Sequence, residues 1–200
     1  AMPHYHFDKT NLIVSFGADF LGNWGSTQYS KDYVKGRNPK NGKMSQHYQF
    51  ETNLSLTGAN ADYRTPIKPS EQEDLLYKVL QGVKGVKVSD KRISVVVEKL
   101  KENKGKSIVV CDSNSTNTQQ IVNAINHELN NYNNTININK PDYLKQGNNN
   151  ELLNLIDEMN KGQIGALIIH GSNPVYTYVN SKEFISALSN VELKVSTSIY

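Results

Sequence analysis

The chain has 200 residues, 37% of them hydrophobic and 20% charged, which is typical of a folded protein rather than a disordered tail. Its 22 basic and 19 acidic residues give a net charge of +3 and are scattered, so we expect no nucleic-acid binding. No apolar run approaches the roughly 20 residues that cross a bilayer. The single cysteine, Cys111, is too few for an iron–sulfur cluster or an internal disulfide, and we expect it to be a buried small residue.

The first part of the chain predicts three strands and two helices. In chain order these are a strand at 12–16, a helix near 28–35, strands at 44–51 and 61–65, and a helix at 70–81. Residues 82–89 contain two glycines and no strong pattern, and they predict a linker. The sequence therefore predicts two α/β lobes, residues 1–85 and 86–200.

The second part again alternates helices and strands. It predicts a helix after Asp90, a strand at 107–111, a helix at 116–129, a polar connection at 130–147 with a short strand at 135–138, a helix at 151–159, a strand at 166–169, a helix at 181–188 and a strand at 192–200. We interpret the many asparagines of 130–139 and 148–150 as loop chemistry. The fold class predicted is α/β, with a mainly parallel sheet, helices on both faces and two related Rossmann-like lobes. The abrupt last strand suggests a piece of a longer chain.

Isolated chemical groups give little evidence of catalysis. His4 and His6 flank Tyr5, and a metal between them is geometrically possible, but edge histidines are the favoured interpretation because no third ligand is near in sequence. His47, His127 and His170 stand alone. No nucleophile elbow and no phosphate-binding glycine motif occurs. We expect no catalytic residue and no metal ligand.

Two strand-to-loop turns are the strongest candidates for a binding site. The strand at 166–169 runs through His170 into Gly171-Ser172-Asn173-Pro174, and the strand at 12–16 runs into Gly17-Ala18-Asp19-Phe20. Backbone N–H groups beyond the carboxyl ends of parallel strands can hold anions, and glycine lets a ligand approach the backbone closely. On spacing alone, an ordinary strand-to-helix turn is an equally good interpretation.

These turns, with other stretches, resemble the molybdopterin oxidoreductase superfamily of the dimethyl sulfoxide reductase type. More closely, the chain resembles the large iron–sulfur, molybdopterin-like subunit of alternative complex III, a quinol:electron-acceptor oxidoreductase. The similar stretches, which span nearly the whole chain, are 16–22, 50–64, 67–69 and 171–176. In that family the strand-then-G-x-N-P unit contacts a bis-molybdopterin guanine dinucleotide.

Three positions in the first lobe depart from that family pattern. Asp19 stands where G-x-N-P has asparagine, Glu51-Thr52-Asn53 replaces an Asp-Pro-Arg run, and Gln72 replaces the acid that meets guanine. At about 4 Å, two like charges repel by roughly 1 kcal/mol in water and about 4 kcal/mol at an effective dielectric near 20. A helix N-terminus stabilises a nearby anion by only about 0.3–1 kcal/mol, so repulsion of a diphosphate by Asp19 is expected to dominate.

The resemblance therefore implies a non-catalytic, molybdopterin-oxidoreductase-like scaffold domain of a respiratory quinol-oxidising complex. The pterin dinucleotide is expected to be lost, with Gly171, Ser172, Asn173 and Pro174 as vestigial contacts and Gly17, Asp19 and Gln72 as degenerate ones. Iron–sulfur clusters are expected elsewhere in the parent chain, at the periplasmic face of the inner membrane. Partners are other domains of that chain and subunits of the membrane complex, without a membrane span here.

Two alternatives stay open. The chain can be the cofactor-binding part of an active molybdenum or tungsten oxidoreductase, because the turn at Gly171 is intact. It can also be a free-standing module that binds a nucleotide or another anion.

Overall fold

The computed structural model describes residues 2–143 and 147–197, apart from the side chain of Asn41. The strands are β1 Met2–Tyr5, β2 Leu12–Phe16, β3 Gln46–Glu51, β4 Tyr63–Pro66, β5 Ser107–Cys111, β6 Ile136–Asp142, β7 Ala166–Ile169 and β8 Leu193–Ser196. The helices are α1 Thr27–Gly36, α2 Leu56–Ala59, α3 Gln72–Val83, α4 Lys91–Glu102, α5 Thr116–Glu128, α6 Asn149–Asn160, α7 Pro174–Thr177 and α8 Ser181–Ser189. Part of the last predicted strand, residues 198–200, lies outside the described residues.

The chain divides into two compact units, residues 1–145 and 146–200. This division differs from the boundary that the sequence predicts at 82–89. Residues 84–90 connect α3 to α4, and these two helices pack against each other within the first unit. β5, which follows them, joins the same sheet as the earlier strands. The glycines of this segment therefore belong to a loop inside a unit.

The first unit contains the parallel sheet that the sequence predicts. Its four strands have the order β4-β3-β2-β5, and all three pairings are parallel. One face packs on α3, α4 and α5 through an apolar core that includes Val14, Leu76 and Val97. The other face packs on α1 and on β1 and β6 through a second core that includes Ile13 and Tyr29. The predicted α/β class is thus confirmed.

Asparagine side chains close the β5 edge of this sheet. Asn126 of α5 accepts from the backbone N–H of Val109 at 3.1 Å and donates to its carbonyl at 2.8 Å, as a neighbouring strand would. Asn131 donates to Asn126 and accepts from the hydroxyl of Ser107. Asn130 and Asn133 adopt positive φ in the following turn. The loop chemistry predicted for the asparagines thus holds at Asn130 and Asn133, whereas Asn137 and Asn139 lie in β6 and Asn149 and Asn150 lie in α6. Asn126 and Asn131 satisfy the buried edge of β5.

The ribbon of β1 and β6 lies on the α1 side of the first unit. β1, which the sequence pattern does not predict, pairs antiparallel with β6. The short strand predicted at 135–138 corresponds to the start of this longer β6. Four residues give too little alternation to identify β1 from the sequence.

The second unit is a two-stranded parallel sheet with two longer helices. β7 pairs with β8, and Leu167 packs toward a core that α6 and α8 form around Ile156 and Phe184. The opposite face of the sheet is apolar and exposed at Ile168 and Val195. Within the described part of the chain, no helix is long and apolar enough to cross a membrane.

Candidate ligand site at the carboxyl edge of the parallel sheet

The strand order creates a topological switch point in the four-stranded sheet. β3 and β4 follow β2 on one side, whereas β5 pairs with β2 on the other side. Open parallel sheets bind ligands in the crevice outside the carboxyl ends of the strands at such a point. Here Gly17 follows β2 and Asp112 follows β5, and the Asp112 N–H still donates to the carbonyl of Phe16 at 3.1 Å. These residues therefore stand where a ligand is expected.

A cavity of about 270 Å³ lies at this edge of the sheet. Its lining is Gly17, Phe50, Glu51, Thr52, Asn53, Ser55, Ile67, Pro69, Gln72 and Asp112. Pockets for drug-sized ligands span roughly 300–1,000 Å³, so this cavity suits a group smaller than a pterin dinucleotide. Gly17 and Gln72, two of the predicted degenerate positions, come together here, whereas Asp19 does not belong to the lining.

The turn after β2 is built around Gly17 and the carboxylate of Asp112. Gly17 has φ +72°, a conformation that costs glycine little. A Cβ atom at this position would collide with the Asp112 carboxylate. The space beside the glycine backbone, which an anionic ligand would need, is therefore filled by an acidic side chain of the chain itself.

Gln72 spans the crevice and holds this carboxylate in place. Its amide nitrogen lies 2.8 Å from Asp112 Oδ1, 3.1 Å from the Phe16 carbonyl and 3.0 Å from Cys111 Sγ. An amide nitrogen has two protons, so these three acceptors fully use its donor capacity. Gln72 thus joins the ends of β2 and β5 through its amide nitrogen, and that nitrogen has no further donor for a ligand.

Asp19 serves a different purpose from the one its sequence position suggests. Its Oδ1 accepts from the Thr57 backbone N–H at 2.9 Å and from the Thr57 hydroxyl at 2.8 Å. A side chain at Gly22 would collide with the Asp19 carboxylate, so that glycine leaves room for it. Asp19 therefore anchors the start of α2, and the acid that borders the cavity at the switch point is Asp112.

A second buried carboxylate lies at the end of β3. Glu51 is 3% exposed and accepts from the Ser55 hydroxyl at 2.6 Å and from Arg64 Nε at 2.5 Å. Burial alone would raise the pKa of Glu51, but the donors on Ser55, Arg64 and Gln49 outweigh it and lower this pKa. The Glu51 carboxylate is thus ionised and fully engaged, and its charge is balanced within the first unit by Arg64.

The other candidate residues have local explanations. Cys111 is buried as predicted, and burial raises the pKa of its thiol to about 11, which makes a reactive thiolate unfavourable. His47 is buried between Tyr33 and Gln49. His170 contacts the hydroxyl of Thr197 at 2.7 Å. In residues 2–143 and 147–197, no group of three or more His, Cys, Asp or Glu side chains is arranged to hold a metal ion.

The turn at Gly171 lies in the second unit and is exposed. Gly171 has φ +62°, and nothing lies within 4 Å of the place where a Cβ would stand. Asn173 accepts from the Tyr176 N–H through its side chain, and Pro174 begins α7, which has four residues. Asn173 thus caps a short helix. The contacts predicted for Gly171, Ser172, Asn173 and Pro174 stay a prediction.

Sequence reasoning missed Asp112 and the polar face of β3. Asp112 directly follows the predicted strand at 107–111, and the carboxyl ends of parallel strands share one edge, so its place was available from the sequence. His47, Gln49 and Glu51 occupy alternate positions along β3, and such a polar alternation predicts a solvent-exposed face, although all three side chains are buried. The cover comes from α1 and α2, and the pattern within β3 does not show that these helices pack there.

Comparisons with known proteins give no further assignment. No protein-family model matches the chain, and no curated protein sequence is significantly similar to it.

Proposed function

We propose that the chain is a non-catalytic scaffold domain of the molybdopterin oxidoreductase type, within a respiratory quinol-oxidising electron-transfer complex. The supporting observation is the switch point, where Asp112 stands against Gly17 and Gln72 ties the two strand ends together. A diphosphate at this edge would meet an acidic side chain rather than free backbone donors, and like charges repel at such distances. The geometry thus favours a role in which this edge carries no pterin dinucleotide.

The second unit offers a feature that suits a scaffold. Ile168, Leu193 and Val195 are 70%, 57% and 40% exposed on the side of the β7–β8 sheet opposite to its core. Parallel sheets are normally covered on both faces, and exposed apolar patches commonly mark interaction sites. In this proposal other domains of the parent chain or subunits of the membrane complex provide that cover, and the iron–sulfur clusters belong to those domains.

Purification of the full-length protein from its native membranes tests this proposal. In mild detergent, we expect the protein to migrate with membrane subunits that oxidise quinol, on the periplasmic side of the inner membrane. Cross-linking followed by mass spectrometry should place residues of this chain next to those subunits. Recovery as a single species, without any membrane partner before or after cross-linking, would contradict the proposal.

A second candidate function has one observation in its favour. The open space around Gly171 would let a ligand approach the backbone there, as in the cofactor-binding part of an active molybdenum or tungsten oxidoreductase. Gly171→Val in the complete protein would then abolish turnover. Unchanged oxidoreductase activity in that variant would remove this candidate.

A further inference from the structure

Three successive side chains on one face of β3 are polar and buried. His47 and Gln49 are 0% exposed and Glu51 is 3% exposed, although β3 lies between two other strands of the sheet. The opposite face of the same strand carries Tyr48 and Phe50, which join an apolar core. Burial of polar groups is costly unless each finds a partner, so this row of side chains requires an account of its hydrogen bonds.

The row forms a continuous chain of contacts along the strand. Tyr33 Oη lies 3.1 Å from His47 Nδ1, and His47 Nε2 lies 3.2 Å from Gln49 Oε1. Gln49 Nε2 then donates to Glu51 Oε2 at 3.1 Å. These contacts run from Tyr33 of α1, at the amino end of β3, to Glu51, which lines the cavity at the carboxyl end. We call Tyr33, His47, Gln49 and Glu51 the β3 relay.

The charge on Glu51 determines the direction of every hydrogen bond in the β3 relay. An ionised carboxylate only accepts, so the amide nitrogen of Gln49 must face it and the amide oxygen must face His47. That oxygen also only accepts, so His47 Nε2 must carry a proton. Burial lowers the pKa of His47 to about 4, so the ring is neutral and its Nδ1 accepts from the Tyr33 hydroxyl.

The Tyr33 hydroxyl has two possible acceptors for its proton, so the hydrogen bonds of the β3 relay can also run in the opposite direction. It lies 2.9 Å from the carbonyl of Asn60 as well as 3.1 Å from His47 Nδ1, and it has one proton for two acceptors. If Glu51 could donate a hydrogen bond, Gln49 would turn its amide and present its nitrogen to His47. The ring would then lose its proton at Nε2 and bind one at Nδ1, exchanging both with water during transient opening. Nδ1–H would donate to Tyr33 Oη, leaving the hydroxyl proton for Asn60.

We propose that the negative charge of Glu51 sets the tautomer of His47 and the partner of Tyr33 through the β3 relay. The relay therefore couples the cavity edge to the corner formed by α1 and the segment before β4. The charged groups that face it are Arg37, which directly follows α1, Asp62 from the segment before β4 and Arg64 from β4. Asp62 accepts from the His47 backbone N–H and pairs with Arg37, so it holds the strand and not the imidazole.

The tautomer of His47 is measurable by NMR. In protein labelled with ¹⁵N in its histidine rings, long-range ¹H–¹⁵N correlations show which ring nitrogen carries the proton. We expect Nε2–H in the native chain at pH 7, and Nδ1–H in Glu51→Gln, because the new amide can donate to Gln49. The ratio of the two tautomers should change by at least about tenfold, which corresponds to one hydrogen bond.

Two further variants make the measurement decisive. Glu98→Gln, an exposed position on α4, should leave the native tautomer unchanged. Tyr33→Phe removes one hydroxyl and should retain Nε2–H, so it tests the direction of control even if Glu51→Gln does not fold. Nδ1–H in the native chain, Nε2–H in a folded Glu51→Gln variant, or a switched tautomer in Tyr33→Phe would each overturn the proposal.

Discussion

Replacement of Asp19 by alanine tests what this residue does in the folded chain. Asp19 Oδ1 accepts two hydrogen bonds from Thr57, which is fully buried at the first turn of α2. In Asp19→Ala the Thr57 hydroxyl still accepts from the Leu21 N–H at 2.9 Å, but its own proton loses the Asp19 acceptor. The Thr57 backbone N–H loses the same acceptor.

The expected cost follows from these two donors, of which the hydroxyl can rotate toward another acceptor and the backbone N–H cannot. A hydrogen bond to a charged group contributes roughly 1.5–3 kcal/mol, and the cost is similar when a buried donor is left without a partner. Asp19 itself is half-buried, so water can partly replace it. We therefore expect Asp19→Ala to lower the free energy of unfolding by about 2 kcal/mol, and Asp19→Asn, which keeps an acceptor oxygen, by about half as much.

Urea unfolding followed by Trp24 fluorescence measures this change. Trp24 is the only tryptophan and lies in the first unit, so it reports on the unit that contains Asp19. With slopes of roughly 1–3 kcal/mol per molar urea, the midpoint should fall by about 1 M. The control, Asp74→Ala, removes an exposed pair with Lys78 and should cost less than about 1 kcal/mol. An Asp19→Ala midpoint equal to that of the control would refute the anchoring role.

Three further outcomes follow from the same contacts. Asn126→Leu leaves the N–H and C=O of Val109 unpaired and should cost about 2–4 kcal/mol in urea unfolding; a cost below about 1 kcal/mol would contradict the edge closure. Gly17→Ala meets both a positive φ and the Asp112 carboxylate, so it should cost about 1–3 kcal/mol, partly recovered in Gly17→Ala/Asp112→Gly; equal stability of all three proteins would refute the packing. The pKa of buried His47 is lowered to about 4, so the unfolded state binds more protons below its own pKa near 6.5. Stability should therefore fall as pH decreases from about 6.5 toward 4, by at most about 1.4 kcal/mol per pH unit, and His47→Gln should show a weaker fall between pH 7 and pH 5; an unchanged slope would count against this.

The sequence predicts the sheet better than it predicts the site. β2 and β5 are short apolar runs, and such runs predict buried strands at 12–16 and 107–111, as the structure has them. The loop at 84–90 has the composition of a linker, yet the helices on either side of it, α3 and α4, pack against each other. That contact depends on the apolar faces of the two helices and not on the residues of the loop. Local composition cannot distinguish a loop within a unit from a boundary between two units.

The candidate site shows the same limit more sharply. The sequence places an acid after β2, and the structure turns Asp19 toward Thr57, because α2 offers an N–H and a hydroxyl there. The carboxylate at the switch point comes instead from Asp112, about a hundred positions further along the chain. Which of two acids faces a cavity depends on tertiary partners, and these are not encoded in the spacing of a single turn.

We propose above that the carboxyl edge of this parallel sheet holds no pterin dinucleotide. Molybdenum analysis by mass spectrometry, together with nucleotide extraction, on natively purified full-length protein measures this directly. We expect molybdenum, tungsten and guanine dinucleotide far below one equivalent per chain. Stoichiometric metal together with guanine dinucleotide would contradict the claim, and with it the scaffold function.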